Sequence, residues 1–159
     1  MGSGRSVSVI VTVAAVLLVG AVSAATAQTS PKAVFSAHVR AIGTQAQKAL
    51  LAMPAGTSPS TAESADMAAQ LQAIYQRIAD RLAALTPPRA IKADFRTLVA
   101  SYRASAENAA AWRDALLHGT TGEAAKASST LYNGLANYKA SLAIVRMSQK
   151  GYYFGTFFH

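Results

Sequence analysis

From Ile91 to Leu116 one stripe runs unbroken: Ile91, Phe95, Leu98, Tyr102, Ser105, Ala109, Trp112 and Leu116, at alternating spacings of four and three. Only an α-helix gathers such a series on one side. The narrow seam belongs to a helix packed nearly parallel to its neighbours. Such a helix draws most of its stability from partners that cover its apolar side, so the rest of the chain must supply them.

Three further helical stretches do so. The first opens at Ser30-Pro31, a capping side chain followed by proline in the first turn, and carries Val34, Phe35, Val39, Ile42, Ala46, Ala49, Leu50 and Met53. Pro54, Gly56 and Pro59 end it, leaving residues 54–60 as a loop. The second opens on the capping box Ser60-Thr61-Ala62-Glu63 and shows Met67, Leu71, Ile74, Ile78, Leu82 and Leu85 before Thr86-Pro87-Pro88 stops it. After the third, Gly119 is a natural C-cap, and Thr120-Thr121-Gly122-Glu123 reads as a second capping box. The fourth stretch then places Ala124, Ser128, Leu131, Leu135, Tyr138, Leu142 and Val145 on one stripe.

No strand-like alternation competes. Long helices joined by short connections predict an all-α fold, an antiparallel up-down four-helix bundle over residues 28–151. A three-helix bundle with the first helix loosely docked is the alternative.

Ahead of the bundle lies a segment of another kind. Arg5 is followed by an almost purely apolar run from Val7 to Val22, and then by Ala25-Thr26-Ala27. A cation, an apolar stretch and a small-x-small sequence, in that order, predict a signal peptide over residues 1–27 with cleavage before Gln28. Retained, residues 7–25 would be long enough to anchor the chain in a bilayer, with Arg5 on the cytoplasmic side. Both readings carry the bundle out of the cytoplasm. Met1-Gly2 with Ser6 matches a myristoylation pattern, but it runs straight into the export segment and is discarded.

Chemistry is harder to find. There is no cysteine, which removes disulfides, thiolate nucleophiles, zinc–thiolate sites and the cysteine a lipoprotein needs. The acidic residues Glu63, Asp66, Asp80, Asp94, Glu107, Asp114 and Glu123 include no Glu-x-x-His pair of the di-metal bundles, and they are expected on solvated faces. A haem bundle would need His38 opposite Met53, Met67 or Met147, and nothing in the spacing sets such a pair at one level. His118 precedes the Gly119 stop, where a cation complements the helix dipole. No nucleophile elbow or phosphate-binding glycine loop occurs. The expectation is a non-enzymatic protein without cofactor or metal.

Two features suggest contacts. The net charge is +8, and +7 remains once Arg5 is set aside. Arg89, Arg96 and Arg103, spaced by sevens, line one edge of the third helix as an anion-binding ridge for lipid headgroups or wall polymers, or simply as a soluble face. No run of consecutive Lys/Arg argues for nucleic acid. After Gly151, residues 152–159 hold five Phe/Tyr rings and no charged side chain. Left free, Tyr152, Tyr153, Phe154, Phe157 and Phe158 would aggregate. They are expected to fold back on the bundle end, to meet a membrane interface, or to dock in a protein partner.

Overall fold

The computed structural model describes residues 30–54 and 60–155, and among these there is helix but no strand. The leader, residues 55–59, Phe157 and Phe158 lie outside the described residues. The chain forms α1 (Pro31–Leu51), α2 (Thr61–Ala83), a 3-10 turn (Arg89–Ile91), α3 (Lys92–His118), α4 (Thr121–Asn133) and α5 (Leu135–Gln149). The fold is an all-α helical bundle.

The starts of these helices are set locally. Ser30 Oγ accepts from the Ala33 amide at 3.2 Å. Ser60 and Glu63 close one capping box, and Thr120 and Glu123 close another, each Glu accepting from the cap's own amide at 2.7 Å. Those hydrogen bonds also hold both glutamates below the ordinary carboxylate range.

Packing centres on α3, which lies against α2, α4 and α5, while α1 packs on α2. One apolar cluster joins Phe35 and Val39 near the start of α1, Ile78 and Leu82 near the end of α2, Phe95 and Leu98 near the start of α3, and Ile144 and Met147 near the end of α5. The second joins Ala68 and Leu71 of early α2 to Ala109 and Trp112 of late α3 and to Leu131 of α4. The unbroken α3 stripe therefore serves both clusters.

Tyr75 packs against both clusters and Tyr102 against the first. The Tyr75 and Tyr102 rings lie 6.2 Å apart, and Tyr132 meets Trp112 edge-on at 5.9 Å. Burial pushes the Tyr102 phenol well above its ordinary range, with Tyr75 adding a smaller push, and burial also raises Tyr75 and Tyr132. A raised folded-state value favours the neutral phenol, so this stabilisation is complete below the unfolded value near pH 10 and is lost as pH rises beyond it. Alkaline titration followed by ultraviolet difference absorbance should thus show Tyr75 and Tyr102 ionising only together with loss of helical circular dichroism. Smooth ionisation of all six before any unfolding would contradict this packing.

The fourth stretch departs from expectation. It is two helices, broken at Gly134, whose backbone is extended (φ −75°, ψ 170°). The break turns the apolar stripe outward: Leu131 is buried, whereas Leu135, Tyr138 and Val145 are 63%, 65% and 48% exposed. In their place α5 buries Ala143, Ile144 and Met147. Asn137 buckles the junction, its Nδ2 donating to the carbonyl oxygens of Leu131 and Tyr132, both at 2.8 Å. It thereby partners carbonyls that the end of α4 leaves open.

The aromatic segment after Gly151 begins by folding back on the bundle. Gly151, at φ 82°, closes α5 with Tyr152 N–H bonded to Met147 O and Gly151 N–H to Ser148 O, the paired bonds of a Schellman turn. The turn sends Tyr152 and Phe154 back into the core, where they are 3% and 2% exposed. Both meet Phe35 edge-on, at 6.2 and 6.4 Å. Tyr153 between them points outward, as alternation in an extended segment requires.

Candidate cationic grooves on α3

On the side turned toward α5, α3 carries small side chains: Thr97, Ala100, Ser101, Ala104 and Asn108. Facing them are Ala136 and Ala143. Small residues on both helices leave a groove of about 610 Å³, rimmed on the α5 side by Leu135, Lys139, Leu142 and Arg146. The floor is partly polar. Ser101 is 4% exposed, and its Oγ is a buried hydroxyl without a hydrogen-bond partner. A buried hydroxyl left unpaired costs roughly 1–3 kcal/mol, which a ligand donor or acceptor would recover.

Asp94 is the one carboxylate lining this groove, and it was expected in solvent. It is instead buried and accepts from Lys150 Nζ at 2.7 Å. The cause is the turn at the end of α5, which brings Lys150 over the first turn of α3. Its negative charge is thereby matched, and Lys139 and Arg146 have no ion-pair partner among the described residues.

A second groove, about 450 Å³, adjoins the first across Ala100, which lines both. Its floor is apolar, with Leu85, Pro87, Phe95 and Val99, and its rim carries Lys92, Arg96 and Arg103. No carboxylate lines it. The predicted arginine ridge is thus corrected in part. Arg96 and Arg103 come together over one groove, but Arg89, on the 3-10 turn, is exposed and lines neither. The turn breaks the seven-residue register that would have aligned it.

The other sequence candidates fall elsewhere. Of the aromatic contacts, Tyr152 and Phe154 are core residues and Tyr153 is exposed. His38 is exposed on α1, whereas Met147 is wholly buried. No group of three or more His, Asp or Glu able to hold a metal occurs among the described residues. Nor is any described helix long and apolar enough to cross a membrane.

Spacing alone had not singled out Lys92, Ser101, Lys139 or Arg146. A signal for the last two was present: no acidic residue follows Glu123, while Lys126, Lys139, Arg146 and Lys150 do. No family model, curated protein or solved structure matches this chain.

Proposed function

We infer that this is an exported, non-enzymatic protein of the cell envelope, an antiparallel up-down four-helix bundle in which α4 and α5 together form the fourth arm, and that it binds an anionic partner along the outer side of α3. The observation that carries the reading is the pair of adjoining grooves bordered by Lys92, Arg96, Arg103, Lys139 and Arg146, with their one carboxylate already matched by Lys150. Unpaired cations beside partly dry walls attract anions more strongly than the same charges spread over open surface. The hydroxyls in the first groove have no histidine among its lining residues to activate them, which favours binding over catalysis.

Export rests on the order of cation, apolar run and small residues in 1–27. A second reading keeps that segment as an anchor and makes the protein an accessory subunit of a membrane complex; a haem- or metal-binding bundle is a third. The native N-terminus, read by mass spectrometry after fractionation, should begin at Gln28 in the extracytoplasmic fraction. Binding to a soluble polyanion such as dextran sulfate should be salt-sensitive and should weaken in the double variant Arg96→Gln/Arg103→Gln. A cytoplasmic protein, or one indifferent to polyanions, would refute the reading.

A further inference from the structure

On a surface helix of a soluble bundle the outward side is ordinarily polar. The outward side of α5 is not. At 100° per residue, Val145, Tyr138, Gln149, Leu142, Leu135, Arg146 and Lys139 fall in that order within a sector of about 120°. This sector lies opposite Ile144, which is 2% exposed in the core. Three of its four apolar side chains are about half exposed or more, and α5 has no acidic residue. The two cations lie along one edge of the sector, where they rim the first groove.

Large apolar side chains held in water beside unpaired cations match one environment closely. The headgroup layer of an anionic bilayer takes apolar groups a short distance inward and keeps Lys and Arg at the phosphates. Tyrosine is at home at that depth. The geometry points to α5 as a membrane-docking face, with Leu135, Tyr138, Leu142 and Val145 entering the interface of an anionic phospholipid leaflet and Lys139 and Arg146 meeting its phosphates. The inference rests on the anionic-partner reading above and names that partner as a lipid surface.

The test uses the protein recovered in its native form, with the N-terminus identified, so that every variant carries the same residues ahead of Ser30. Flotation is measured with mixed phosphatidylcholine–phosphatidylglycerol vesicles and with pure phosphatidylcholine vesicles. Wild type should partition to the mixed vesicles in a salt-dependent manner. Lys139→Gln and Arg146→Gln should each lower that partitioning about fivefold. Tyr138→Ser/Val145→Ser should lower it further without changing helical circular dichroism, since both positions are exposed. Variants that float like wild type would overturn the inference. So would a dimer in solution that Tyr138→Ser/Val145→Ser dissolves, because the face would then cover a second copy. Salt-sensitive binding of dextran sulfate without flotation would overturn the lipid surface and leave the anionic-partner reading standing. Loss of both would remove the two together.

Discussion

Phe154→Ala is expected to lower stability by about 3 kcal/mol or more, among the largest effects available to one substitution in this chain. Phe154 is 2% exposed and stacks edge-on against Phe35, whose ring also meets Phe95 at 5.3 Å and Tyr152 at 6.2 Å. Removing it opens a cavity among rings from α1, α3 and the C-terminal segment at once. That segment also carries the bonds that fasten the start of α1: Lys32 Nζ donates to Lys150 O and Arg40 Nη1 to Tyr153 O, each at 3.2 Å. Both are exposed and add little by themselves. The buried rings therefore decide the outcome. For a domain of this size the loss should lower the midpoint of thermal unfolding by roughly 10 °C. Hydrogen exchange should show α1 losing protection before α2 and α3, because the backbone of α1 lies mainly along α2 and its contact with α3 runs through the Phe35 ring that this substitution loosens. A midpoint shift of a degree or less would mean that the aromatic segment only rests on the bundle.

What was legible in the sequence was local. Ser30, Ser60 and Thr120 announce helix starts because a cap and its partner lie within four residues. The α3 stripe announces a central helix because every member of it is answered by a neighbour. The break at Gly134 was hidden for the opposite reason. A single glycine inside a helical pattern costs only about 1 kcal/mol, and Leu131, Leu135, Tyr138, Leu142 and Val145 continue in phase across it. Apart from the bonds of Asn137 to Leu131 and Tyr132, the interactions that favour the broken form are distant in sequence: Lys150 with Asp94, and Tyr152 and Phe154 with Phe35. The candidate site inherits the same blind spot. Arg96 and Arg103 could be placed on one edge of α3 from spacing. Their companions across the first groove, Lys139 and Arg146, take their positions from the rotation of α5, which Gly134 sets.

Gly134→Ala tests that rotation directly. The backbone at Gly134 has a negative φ that any residue adopts, so the need for glycine is one of space. A methyl group there would collide with the carbonyl oxygen of Thr130 on the preceding turn. Two responses compete. The chain can straighten into one helix, gaining up to about 1 kcal/mol of helix propensity over glycine. Straightening turns α5 about its axis and unseats Ile144 and Met147, which are 2% and 0% exposed, at roughly 1.5–3 kcal/mol each. It also pulls Asn137 from the carbonyls of Leu131 and Tyr132 and moves Lys150 from buried Asp94. Burying Leu135 and Tyr138 in exchange offsets part of this, but the C-terminal rings would be carried away from Phe35, because their turn is fixed to the end of α5. The losses outweigh the gains, and the variant should be about 2 kcal/mol less stable while keeping undiminished helical circular dichroism. Lost stability with retained helix is the signature that separates a rotated arm from simple unfolding. A variant as stable as wild type would show that the junction tolerates a side chain, and that the outward stripe on α5 has some other cause.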